Sequence, residues 1–164
     1  MPSTPSNIFL KQIGAHEGII HKVVSLYTDG KEDKEDLYQE ILLQSWKSFA
    51  NYKAEAQFST WLYRVALNTA LNFRRKYQKT EALTATQNLS DTEVSAGSGD
   101  KEMLYYIVKS LDEVDKMLIT LHFEGYKNGE IAAITGMTTN YVNVKLHRIK
   151  THIIHRFKSV CNES

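Results

Sequence analysis

Cysteine, proline and long apolar runs are all scarce in this chain, and each scarcity closes off a class of protein. A single cysteine, Cys161, among 164 residues rules out an intrachain disulfide and fits a reducing compartment. Both prolines, Pro2 and Pro5, precede the first periodic segment, so none interrupts a later helix. No apolar run approaches the roughly 18 residues of a membrane span. The start, MPSTPSNIF, lacks the charged beginning and apolar core of a secretory signal. The expectation is a cytoplasmic chain without direct membrane insertion. Glycine-rich phosphate loops, a Ser/His/Asp set and paired buried carboxylates are also missing, so neither catalysis nor a cofactor is expected. His147, His152 and His155 lie close in sequence, but no carboxylate or cysteine joins them at ligand spacing, and no metal site is expected. Alternating β-branched runs are nearly absent, which leaves an all-α fold in one ordinary domain or two small ones.

Acid is missing from two particular stretches. The formal charge of +1 hides a segregated distribution. Residues 29–40 hold Asp29, Glu32, Asp33, Glu35, Asp36 and Glu40 against Lys31 and Lys34, whereas 141–158 carry Lys145, Arg148, Lys150, Arg156 and Lys158 with no acid. Nor does any Asp or Glu occur between Glu55 and Glu81. Such asymmetry points to separate surfaces for separate partners.

The second acid-free stretch, Phe58 to Tyr77, is the centre of the chain. As a helix it sets Phe58, Leu62, Val65, Ala66, Thr69 and Phe73 on one side, widened by Trp61 and Ala70. Arg64, Asn68, Leu71 and Arg75 fall opposite, with Tyr63, Leu67 and Arg74 beside them, so a basic face showing leucine and tyrosine is expected. Two readings fit it: the solvated side of a core helix, or a surface whose cations hold a phosphate backbone while a ring or amide meets an unpaired base.

Around it, residues 8–27 read as one helix despite Gly14 and Gly18, and Thr28-Asp29-Gly30 as a turn. A helix over Lys34–Phe49 buries Leu37, Ile41, Leu42, Ser45 and Phe49. It leaves Asp36, Gln39, Glu40, Leu43 and Lys47 outside, as a solvated face or as a protein-docking one. NYKAEAQ, residues 51–57, links it onward with Tyr52 and Lys53 on a loop. Residues 79–101, rich in Thr, Ser, Ala and Gly, read as a flexible linker between domains 1–78 and 102–160. Beyond it, Leu104, Ile107, Val108 and Leu111 form one stripe. Val114, Met117, Leu118 and Leu121 form the next, with Asp112 as its N-cap. A short helix over 128–135, Gly136 as breaker, a cap at Thr138 or Thr139 and a longer helix make a helix-turn-helix pattern. The last helix buries Val142, Leu146, Ile149 and Ile153. It exposes Asn140, Asn143, Val144, His147, Arg148 and Thr151, groups suited to base edges, with Lys145, Lys150, Arg156 and Lys158 nearer phosphates.

In combination these segments resemble the sigma-70 class of bacterial sigma factors, specifically the small extracytoplasmic-function (ECF) type that keeps only regions 2 and 4. DKEDLYQEILLQSW followed by FSTWLYRVALNTALNFRRK looks like region 2. SLDEVDKMLITLHFEGYKNGEIAAITGM and NYVNVKLHRIK look like region 4. The resemblance implies a protein that binds core RNA polymerase, through its β′ clamp helices and β flap, and directs it to promoters. By that analogy Asp36, Gln39, Glu40, Leu43 and Lys47 dock on polymerase. Tyr52, Lys53, Ala54, Tyr63, Arg64 and Asn68 take up the −10 element, including a flipped base, while Arg74, Arg75 and Lys76 hold its backbone. Asn140, Asn143, Val144, Lys145, His147 and Arg148 face the −35 element, the linker threads toward the active-site and RNA-exit region, and an anti-sigma factor is the expected regulator. Departures from the family pattern fall at Asp112-Glu113 for Pro-Glu, at Tyr141–Lys145 for Thr-Val-Lys-Ser-Arg, and at Lys53-Ala54 for Arg-Gly. The family's promoter sequences therefore do not carry over, whereas its docking mode does. A stand-alone helix-turn-helix regulator and a sigma-like decoy for an anti-sigma factor remain the alternatives.

Overall fold

The computed structural model describes residues 4–84 and 99–162, without the side chains of 80–84. Among the described residues all regular structure is α-helical, in eight helices, and the chain divides into two compact units, Met1–Gln78 and Lys79–Ser164. None of these helices is long and apolar enough to cross a membrane.

The first unit opens with two helices where one was expected over residues 8–27: α1, Pro5–Ala15, and α2, Glu17–Tyr27. Pro5 presets the first turn of α1 and Thr4 caps it, its hydroxyl accepting from the Asn7 N–H. The break falls at His16, whose backbone (φ −123°, ψ 18°) leaves helical space. Gly14 and Gly18 flank it, and glycine weakens a helix by roughly 0.5–1 kcal/mol relative to alanine, so continuity through this point is poorly supported. Helix α3, Lys31–Phe49, starts three residues earlier than expected because Gly30 serves as its N-cap, and Glu32 and Asp33 lie in its first turn where the helix dipole favours acid. Tyr38 ties α3 to α2 by donating its hydroxyl to Glu17 (2.7 Å). Burial and that carboxylate push the Tyr38 phenol up to about 12.

Helix α4, Phe58–Thr84, runs past the expected boundary into the first residues assigned to the linker. The rest of that segment, 85–98, lies outside the described residues. The core of the unit gathers Ile20 and Val23 of α2, Leu37 and Ile41 of α3, and Leu62 and Ala66 of α4, all fully buried. At one end sits an aromatic cluster in which Phe49 meets Phe9, Tyr52, Phe58 and Trp61.

The second unit contains α5, Asp100–Lys109, α6, Glu113–Phe123, α7, Asn128–Thr135, and α8, Thr139–Asn162. Asp112 caps α6 as expected, its carboxylate accepting from the Asp115 N–H (2.9 Å). Helix α6 is enclosed nearly all round: six consecutive residues, Lys116 to Leu121, are buried. Even Lys116 is enclosed, with Glu113 at 3.8 Å. Gly136 ends α7 at φ +78°, the left-handed geometry that glycine adopts without penalty. Thr138 then caps the start of α8 by accepting from the Tyr141 N–H.

Candidate nucleic-acid interface

The buried arc of α4 is wider than the spacing of its apolar residues implied, and it lies further round the helix. Tyr63, Leu67 and Leu71, expected on the exposed basic side, are only 3%, 1% and 8% exposed, so they pack into the unit instead. Val65 and Phe73, assigned to the core, are half-buried and line an open groove. The exposed arc of α4 is left with Arg64, Asn68, Asn72 and Arg75. The run Arg64, Asn68, Asn72 at i, i+4 and i+8 marks this arc in the sequence, and the expectation of Leu71 at i+7 took the place of Asn72 at i+8.

The groove, about 1000 Å³, separates this arc from α3. Asp36, Gln39, Glu40, Leu43 and Gln44 form its α3 side; Trp61, Arg64, Asn68, Asn72 and Lys76 form its α4 side. An acidic and amide wall thus faces a basic and amide wall, with Val65 and Phe73 between. Glu40 accepts a hydrogen bond from the Gln44 amide (2.9 Å), which holds its carboxylate along the wall. Leu43 also borders a second, apolar groove of about 540 Å³ with Phe9, Leu10, Leu42 and Trp46. Of the docking candidates, Asp36, Gln39 and Glu40 line the first groove, Leu43 stands between the two, and Lys47 is exposed but lines neither. Arg74 is half-buried, its guanidinium 5.4 Å from the Tyr77 ring centroid, and Arg75 and Lys76 are exposed.

Before α4, the loop carrying Tyr52, Lys53 and Ala54 is tightly organised. Tyr52 packs on Phe58 and Trp61 and donates its hydroxyl to the Ala56 carbonyl (2.7 Å), which closes the loop on itself. Lys53 and Ala54 project at its tip, and Ala54 holds φ +58°, a left-handed conformation costly for any residue with a Cβ.

On α8, Val142, Leu146, Ile149 and Ile153 are buried and Asn140, Asn143, Val144, His147, Arg148 and Thr151 are exposed, as their spacing predicted. Two of the residues expected to face the −35 element also make bonds within the unit. Lys145 reaches Asp115 of α6 (3.2 Å), and that hydrogen bond and charge hold its ammonium above the usual lysine range. Asn143 accepts from the Asn128 amide (2.6 Å), pinning α8 to the start of α7. Arg156, expected near phosphate, donates to the Ser110 hydroxyl (2.7 Å). His122 is pushed below its ordinary range by burial and by the nearby charge of Lys150.

Comparison with known proteins agrees with this arrangement. The model of sigma-70 region 2 matches residues 13–80 and that of sigma-70 region 4 matches 101–153, one on each unit. The chain is 28% identical to the RNA polymerase sigma factor SigV of Bacillus subtilis over 152 residues, which cover 88% of each protein. It is 28% identical to the ECF RNA polymerase sigma-E factor of Escherichia coli over 151 residues, 81% of this chain and 79% of that one. Its fold matches the sigma factor RpoE from Bartonella quintana, solved with the anti-sigma factor NepR, at a TM-score of 0.73 and 16% identity over 92% of this chain and 96% of that one. It also matches CnrH, solved with the cytosolic domain of CnrY, at a TM-score of 0.62 and 16% identity over 92% of this chain and 88% of that one. With regions 2 and 4 falling in order on the two helical units, the chain belongs to the sigma-70 family, as a sigma factor of the extracytoplasmic-function type.

Proposed function

We propose how this sigma factor divides its work among its surfaces. As a member of the family it binds core RNA polymerase and directs promoter-specific initiation. The α3 face of Asp36, Gln39, Glu40 and Leu43 is the polymerase-docking surface, with the apolar side chains of Leu42 and Trp46 beside it. The loop tip of Lys53 and Ala54 with Arg64 and Asn68 takes the −10 strand, and Arg75 and Lys76 hold its phosphates. Tyr63, being buried, shapes that surface from beneath. Asn140, Val144, His147 and Arg148 read the −35 element. The observation that carries this assignment is the exposed, acid-free arc of α4 beside an acidic face on α3: one unit offers a cationic nucleic-acid surface and a separate protein surface.

In this reading the chain has no catalysis of its own. Promoter melting is driven by binding energy for unpaired bases, which stack on rings and meet amides. Regulation by an anti-sigma protein covering the same surfaces is supported by the structural neighbour RpoE from Bartonella quintana, solved with the anti-sigma factor NepR. Run-off transcription from fragmented source DNA, with core polymerase with and without the chain, tests the assignment. Discrete new start sites are expected. Arg64→Ala/Asn68→Ala should abolish them while the melting temperature stays unchanged, since both side chains are exposed. Start sites that survive the double substitution remove α4 from the −10 surface.

A further inference from the structure

The middle of the α8 surface is an apolar side chain, and its surroundings identify the group it is suited to read. Resting on the DNA-binding reading above, we propose that Val144 is a specificity-determining residue that contacts the 5-methyl group of a thymine in the −35 element. At about 100° per residue, Val144 lies about 190° round the helix from the mean direction of the buried stripe Val142, Leu146, Ile149 and Ile153. It therefore points directly away from the core of its unit, and it is 44% exposed. Its neighbours one turn before and after, Asn140, Tyr141, His147 and Arg148, are exposed as well.

The groups on either side of it are committed elsewhere: Asn143 to Asn128 and Lys145 to Asp115. The side chain at the centre of that face is thus one that can neither donate nor accept a hydrogen bond. A single exposed valine on an ordinary surface calls for no explanation. At the centre of a recognition face it has a chemical consequence, because thymine alone among the four bases presents a methyl group in the major groove. Against guanine O6 or the cytosine amino group the same isopropyl would displace water and leave a polar atom unsatisfied. Asn140 and Arg148, one turn away on either side, suit the adjoining bases.

The test uses holoenzyme assembled from core polymerase and the full chain, on promoters recovered by run-off transcription. Each thymine of the −35 element, on both strands, is replaced in turn by deoxyuridine, which lacks only the methyl, and affinity is measured at one fixed salt concentration. At one position the affinity should fall about fourfold, the value of burying a single methyl-sized group. Val144→Ala should bind the thymine and deoxyuridine duplexes within about twofold of each other there, with unchanged melting. The proposal is overturned if no position responds, if Val144→Ala responds as strongly as the parent, or if the −35 element has no A·T pair. Each of those results leaves the start sites, and so the sigma reading, intact. A chain that yields no start sites with core polymerase overturns that reading and this proposal together.

Discussion

Helices α4 and α8 are both long and largely basic, yet they are set into their units in opposite ways. Helix α8 lays a single stripe on its unit and leaves the rest of its surface outside. Helix α4 buries Phe58, Leu62, Tyr63, Ala66, Leu67, Thr69, Ala70 and Leu71, an arc of about 220° by the helical period. A helix that meets its unit on one stripe can place recognition groups almost anywhere off that stripe, whereas one buried over a wide arc must fit them into the remaining gap. A change on the buried arc of α4 is consequently felt in stability, whereas a change at an outward position of α8 such as Val144 is not.

Leu67→Ala is the strongest attack on that contrast. It empties a position that is 1% exposed and should cost about 2–5 kcal/mol in urea unfolding of the first unit. Val144→Ala on α8 should cost less than about 0.5 kcal/mol in the second. Equal costs would mean that α4 is not buried over a wider arc than α8.

The turns sharpen the comparison. Both units use a left-handed residue next to their binding surface, but the second has Gly136 at φ +78° and the first has Ala54 at φ +58°. Gly136→Ala should destabilise by about 1–2 kcal/mol. Ala54→Gly should stabilise by up to about 1 kcal/mol, the relief being partly offset by the extra freedom of glycine in the unfolded chain. Thermal melts of the pair check the opposite signs; a loss on Ala54→Gly would show that the loop is not strained at its tip.

The smallest effect concerns the pin between α6 and α8. Lys145→Met should cost up to about 1 kcal/mol, because the pair with Asp115 is partly exposed. The folded-state pKa of Lys145 is raised, so its contribution is fully present below the ordinary lysine pKa and is lost as pH rises through the raised value. The melting difference between parent and Lys145→Met should hold from neutral to mildly alkaline solution and shrink above that. A difference that grows with pH would contradict the pairing.

The same contrast explains what could be read from the residues alone. A helix buried on one side shows one period, and Val142, Leu146, Ile149 and Ile153 announced it, together with the Gly136 turn. A helix buried around more than half its circumference shows overlapping periods, so Tyr63, Leu67 and Leu71 looked like the far side of a narrower stripe. The exposed face Asp36, Gln39 and Leu43 was legible because α3 is amphipathic. That it shares a groove with Arg64 and Asn68 was not, since pairing of helices is a tertiary fact. Lys145 and Asn143 are chemically fit for DNA, and only partners 30 and 15 residues away, Asp115 and Asn128, reveal their second engagement. The break at His16 was half legible: Gly14 and Gly18 weakened the helix, but the dihedral angles of His16 set the place.

The aromatic cluster of the first unit has a spectroscopic consequence. The chain has two tryptophans, Trp46 and Trp61, and both belong to that unit, whereas tyrosines occur in both units. Trp61 packs against Tyr52 in the loop and lines the α3–α4 groove, and Trp46 packs against Phe9 beside the second groove. The unlabelled protein therefore carries two built-in dyes, one beside each groove, and a change in their emission reports on events at the α3 and α4 surfaces.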